Sequence, residues 1–246
     1  MVNEWQVPDL EIDEDWQPDL FAFVGKPDSQ AYLAVADHYR RRGIPIIGIC
    51  PDNHRQDLPP NCDFYFLAHD FPSIVKPPPD KYHYLPSGYD EVLFTRSEIP
   101  WSERRYDVAM VGYPYSQREI LHSLFDRTEL ECFFGIGQLY EEYRDIYQDT
   151  RISLSWSVGF DLPQRLFETI ACGCFFVTDR IPDVDHYPEM KDYYDEVLSV
   201  DEIVDKVREY VNHPPPGFNA DLLAAKHGWT SRAEELLFVL KDKGIL

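Results

Sequence analysis

Apolar residues in this chain gather into short continuous runs, separated by stretches in which they recur every three or four positions. "LFAFVG" (20–25), "IPIIGIC" (44–50) and "DFYFLA" (63–68) are such runs, and "KYHYLP" (81–86) is a more polar one. Continuous apolar runs of this length suit strands buried on both faces of a parallel sheet. Between the first two, Tyr32, Leu33, Ala36 and Tyr39 recur at helical spacing, with Asp28 or Ser29 placed to cap the helix and Gly43 to stop it. After a break the alternation restarts with strand "YDVAMVG" (106–112) and a helix over about 117–127. Strand "LECFFGIG" (130–137), helix "QLYEEYRDIYQ" (138–148) and strand "RISLSW" (151–156) follow. A short helix within "GFDLPQRLFETIACG" leads to strands "CFFVT" (174–178) and "DEVLSV" (195–200). Three helices, over about 201–212, 219–227 and 231–243, close the chain.

This alternation predicts an α/β fold of two Rossmann-like units with parallel sheets, the first one reduced. Residues 1–18 read as an acidic arm with Trp5 and Trp16 as docking points, and 19–87 as the first unit. Residues 88–105 have turn formers and no sustained period, so they read as an interdomain connection. Residues 106–246 form the expected second, ligand-holding unit.

Composition narrows the partners. With 246 residues, 44% of them hydrophobic and 15% aromatic, the chain can build packed cores. Its 23 Lys and Arg against 44 Asp and Glu give a net charge of −21, which repels a nucleic-acid backbone. No apolar run approaches the roughly 20 residues of a membrane span, and the start lacks the basic-then-apolar order of a signal peptide. Five cysteines, an odd number, read as reduced thiols in a cytoplasmic protein. Cys172 and Cys174 lack a second cysteine pair, so no metal site is expected. The small first unit leaves apolar surface to cover, so a homodimer is expected.

In open parallel sheets ligands sit beyond the carboxyl ends of the strands. That selects the loops after Gly112, Phe134, Trp156 and Thr178. In "GFDLPQRLFE" Pro163 suits a first helical turn, where its missing N–H loses no partner. Asp161 or Leu162 then lies at the cap, and Gly159 allows a tight turn. Free amides at that end attract an anion such as a diphosphate, and Arg165 adds a bidentate contact. Glu168, three residues on, shares its face and is suited to accept both hydroxyls of a diol. The competing reading of this pair is a surface ion pair worth under about 1 kcal/mol. Arg118, at the start of the helix after Gly112, is either a second cation for the same diphosphate or a solvated helix residue. Ser155 and Ser157 either donate to a ligand or cap the strand end, and Gly135 and Gly137 permit close approach. His54, His69 and His83 fall at strand ends of the first unit and read as loop or packing residues. His69, His83 and Asp90 are the nameable cleft-facing groups, and His69 is carried as a catalytic candidate. His186 and Asp185 lack a triad pattern, and no nucleophile-elbow or P-loop motif occurs.

The segment "DLPQRLFETIACGCFFVTDRIPDV" (161–184), with "RRYDVAMVG" before it and "HGWTSRAEELL" after it, resembles group 1 glycosyltransferases of the GT-B fold, especially the CgeB-like (spore maturation protein) branch. The resemblance covers about 106–240 well and 19–94 more loosely. It implies transfer of a sugar from a nucleotide-diphosphate-sugar donor, expected to be a UDP- or GDP-sugar, to an unknown acceptor. It further implies retention of anomeric configuration and no required metal or other cofactor. By motif position Glu168 would hold the donor ribose, and the amides around Leu162 with Arg165 and Arg118 would hold the diphosphate. The wider superfamily often carries a further Glu eight residues before the ribose Glu. Phe160 stands there in this chain, and the neighbouring Asp161 is the candidate substitute. Two alternatives remain: a non-catalytic nucleotide-sugar-binding scaffold, and another nucleotide-binding enzyme of the same architecture, such as an epimerase.

Overall fold

A computed structural model describes residues 17–25, 30–53, 57–157, 159–217 and 219–246. Trp5, Trp16, the alternative capping residues Asp28 and Ser29, and His54 lie outside them. The described residues divide into two compact units, those within 1–85 together with 236–246, and those within 86–235. Both are α/β with wholly parallel sheets.

The first unit holds β1 (Phe21–Val24), α1 (Gln30–Arg41), β2 (Ile46–Cys50), β3 (Phe64–Leu67) and β4 (Tyr82–Tyr84), with the strands adjacent in that order. Successive strand residues face opposite sides, and the core divides accordingly. Ile46 packs with Phe23 and with Val35, Ala36 and Tyr39 of α1. Ile47, Phe64 and Phe66 face the other way, against Val239 and Leu240. Residues 236–246, expected with the second unit, therefore belong to the first, because they bury its other sheet face.

The second unit contains β5 (Tyr106–Val111), α2 (Ser116–Phe125), β6 (Cys132–Gly135), α3 (Tyr140–Gln148) and β7 (Thr150–Leu154). It continues through α4 (Arg165–Ala171), β8 (Phe175–Asp179), β9 (Tyr194–Val197), α5 (Val200–Tyr210) and α6 (Ala220–His227) into α7 (Trp229–Asp242), whose second half lies in the first unit. Strand order is β6-β5-β7-β8-β9. The chain steps outward from β5 to β6, then crosses back to β7 on the other side. The β5–β7 boundary is thus the topological switch point, where such sheets bind ligands. Alternate residues Val108, Met110, Ile152, Leu154, Phe175 and Val177 form the core with Leu121 and Phe125 of α2 and Ile203 and Val207 of α5.

The stretch 88–105, expected as a connection between units, is built into the second. Tyr89 N–H donates to His227 O (3.1 Å), and Trp229 N–H donates to Tyr89 O (3.0 Å). The Glu91 carboxylate accepts from the amides of Trp229 (3.0 Å) and Thr230 (3.2 Å), capping α7 from outside the helix. Buried Arg104 donates to the carbonyls of Thr150 and Gly173, both at 2.8 Å. These long-range bonds have no local periodicity, which is why the segment reads as linker in the sequence. Among the described residues no helix is long and apolar enough to cross a membrane.

Candidate functional site

The strands part at the switch point. The last register pair between β5 and β7 is Ala109 with Ser153, and the Val111 N–H beyond it donates to the buried Tyr147 hydroxyl at 3.0 Å. Gly112 follows, donating to Gly135 O at 2.9 Å. Its φ of +146° lies in a region that favours glycine. A Cβ there would sit 2.8 Å from Arg118 Nη1 and 2.8 Å from Arg165 Nη2. Glycine lets two guanidiniums, from α2 and α4, converge over one bare Cα.

Neither arginine is saturated. Arg118 donates to Tyr113 O (3.0 Å) and Trp156 O (3.5 Å) and lies over the Tyr115 ring. Arg165 reaches Ser155 Oγ at 3.3 Å. The Nε of each is buried with no hydrogen-bond partner. Burial, and then the like charge of Arg165, push the Arg118 pKa down. Burial also opposes charge on Arg165, but the Tyr143 and Tyr147 hydroxyls and Glu168 more than offset it, so its pKa is raised. Two adjacent cations with buried donors to spare are matched by an acceptor-rich anion.

Arg165 and Glu168 do not form the ion pair that their spacing allows. Glu168 Oε1 instead accepts from Gln164 Nε2 at 2.7 Å. Burial raises the Glu168 pKa, opposed by Tyr143, Arg165 and Gln164. Arg118, Arg165, Glu168, Asp161 and Pro163 line one cavity of about 590 Å³, with Asp90, Gln138, Tyr143, Gln164 and the apolar Leu93, Phe94 and Trp229.

Other sequence candidates take different places. Ser155 is buried beneath Arg165. The Ser157 hydroxyl donates to Asp179 Oδ2, and its N–H to Asp179 Oδ1, both at 2.6 Å. Gly137 (φ +86°) and Gly159 (φ +83°) lie in loops after β6 and β7. Leu162 is buried. His69 belongs to the first unit, where its main chain exchanges two hydrogen bonds with the Asn53 side chain. His83 stands on β4 with its ring edge-on to Phe66. Asp185 accepts from Arg180 (3.1 Å). Among the described residues no group of three or more His, Cys, Asp or Glu could hold a metal ion.

The helix carrying Arg165 is shorter than expected. It begins at Arg165 rather than beside Asp161 or Leu162, and it spans seven residues. Gly159 and Phe160 both have positive φ, so the chain is still turning there. Pro163 O accepts from Leu166 N (3.0 Å) in a tight opening turn. Side-chain cations, more than helix amides, therefore supply the positive charge. Tyr143, Tyr147 and Gln138 are absent from the sequence-derived set. The i,i+4 recurrence of Tyr143 and Tyr147 on α3 is the one local signal that the two tyrosines share a face.

Residues 101–237, more than half of the chain, match the family described as glycosyl transferase-like. The chain belongs to the glycosyl transferase-like family. Among solved structures it is similar to the crystal structure of a GtfA/B complex, at 13% identity and TM-score 0.50, over 89% of this chain and 57% of that one. It also matches the UDP-GlcNAc 2-epimerase of Methanocaldococcus jannaschii, at 10% identity and TM-score 0.46, over 91% of this chain and 77% of that one. At such identities the first likeness shows the fold, of the GT-B kind, and this chain spans 57% of the length of that structure. No curated protein matches.

Proposed function

We propose that the second unit binds a nucleotide-diphosphate sugar and that the protein transfers the sugar to an acceptor. The observation that carries this reading is the convergence of Arg118 and Arg165 over Gly112, each with a buried N–H left to donate. In this reading the two guanidiniums hold the diphosphate and stabilise its charge as the glycosyl bond breaks. Ser155 and Tyr143 orient Arg165. Glu168 accepts the ribose hydroxyls, with Gln164 fixing its carboxylate. Asp161 and Pro163 line the cavity where the sugar would lie. The resemblance to CgeB-like enzymes supports a UDP- or GDP-sugar donor, retention of configuration and chemistry without a resident metal.

A panel of UDP-, GDP-, ADP- and dTDP-sugars, scored by thermal stabilisation and nucleotide release, tests this. One nucleotide class should stabilise the wild type, and Arg165→Ala and Glu168→Ala should each weaken the effect. Stabilisation without release in the presence of acceptors favours a binding protein over a transferase. No stabilisation by any donor rejects both.

A further inference from the structure

Gln138 is a polar group of the cavity wall that the diphosphate and ribose contacts leave unused. Gln138 sits in the loop between β6 and α3, and its Oε1 is buried without a hydrogen-bond partner. The carboxamide lies against Gly135 so closely that a Cβ there would be 2.5 Å from Oε1 and 2.6 Å from the Phe133 ring. Gly135 therefore makes room for this side chain, at the end of the strand adjoining Gly112. Gln138 lines the same cavity as Arg118, Arg165 and Glu168.

A buried acceptor without a donor destabilises a fold, so an apolar side chain would suit an empty wall better. The diphosphate cannot satisfy it, because the ionised oxygens of a nucleotide sugar's diphosphate offer no proton. With the ribose hydroxyls held by Glu168, the donors left on a nucleoside diphosphate are the ring and exocyclic N–H groups of its base. We propose that Gln138 is a specificity-determining residue that reads the polar edge of the donor's nucleobase, its Oε1 accepting a base N–H. The proposal rests on the donor reading above. A carboxamide carries a donor beside its acceptor, and so pairs in two-bond fashion with a base edge that offers both.

Gln138→Leu separates this role from a structural one. Calorimetric titrations would use UDP, GDP and inorganic pyrophosphate on the wild type, on Gln138→Leu and on Arg165→Ala, with each protein's melting temperature measured unliganded. Gln138→Leu should lose about tenfold or more in affinity for the nucleoside diphosphate that binds best, the scale of one hydrogen bond to a buried group. Its pyrophosphate affinity should be unchanged and its unliganded melting temperature equal or higher, since the removed acceptor has no partner to lose. Arg165→Ala should lose both ligands. Equal losses of nucleotide and pyrophosphate in Gln138→Leu would overturn the base-reading role, as would unchanged nucleotide affinity or an unchanged preference between UDP and GDP. In either case a loss of both ligands in Arg165→Ala would leave the donor reading standing. Absence of binding to the wild type would overturn the donor reading and this inference with it.

Discussion

Arg118 and Arg165 each bring a guanidinium nitrogen to 2.8 Å from the point where a side chain on Gly112 would begin. Gly112→Ala should therefore displace both cations and strain a backbone held at φ +146°. The expected stability loss is about 1–2 kcal/mol, measured by denaturant unfolding. Nucleotide affinity should fall by more than about tenfold. A Gly112→Ala protein with wild-type affinity would mean that the arginines do not hold the ligand from this position.

Glu168 gives the site an acid limit. Burial raises its pKa despite Tyr143, Arg165 and Gln164, so it takes up a proton at higher pH than an ordinary carboxyl group. If Glu168 holds the ribose as proposed, only its ionised form would accept both hydroxyls, so donor affinity should hold above that raised pKa and decline as pH falls through it. A nucleotide sugar is the suitable probe, because its diphosphate diester stays ionised over this range. Glu168→Gln should bind more weakly and show no such acid decline. A decline of the same shape in the variant would assign the titration to another group.

His227 sets a separate pH dependence of stability. Its ring stacks on Phe167 at 4.5 Å, its Nδ1 faces Arg232 Nη2 at 3.0 Å, and its Nε2 faces Glu189 Oε1 at 3.3 Å. Burial, and then Arg232, lower its pKa from 6.5 to about 4, against the pull of Glu189, with Lys226 also lowering it. The folded state therefore binds this proton less readily than the unfolded chain. Stability is fully present above pH 6.5 and falls as pH drops toward about 4. The change is on the order of 3 kcal/mol at most. In denaturant titrations across that window, His227→Gln should show a shallower loss than the wild type. Parallel curves would show that His227 does not titrate differently in the two states.

Much of the scaffold is legible in the sequence because buried parallel strands require continuous apolar runs. "IPIIGIC" becomes β2 and "YDVAMVG" becomes β5 for that reason. Arg118, Arg165 and Glu168 are legible as candidates because strand-end loops of such sheets are where ligands bind. The start of α4 is misread because Pro163 suits several positions in an opening turn, and because the positive φ at Phe160, which extends the turn read at Gly159, has no distinctive pattern. Tyr143, Tyr147 and Gln138 read as ordinary members of a polar helix and its approach. Only the crossing of the chain from β6 back past β5 brings Gln138 and Tyr143 to the cavity wall they share with Arg118 and Arg165, and Tyr147 to Val111. The attachment of 236–246 to the first sheet likewise depends on contacts between residues far apart in the chain.

The proposed chemistry depends on where an anion binds. The most direct test is a crystal structure of the protein grown with a saturating nucleoside diphosphate. The diphosphate should lie over Gly112, within hydrogen-bonding distance of both Arg118 and Arg165, with the ribose hydroxyls on Glu168. A nucleotide bound elsewhere, or the same cavity filled without contact to either arginine, would contradict it.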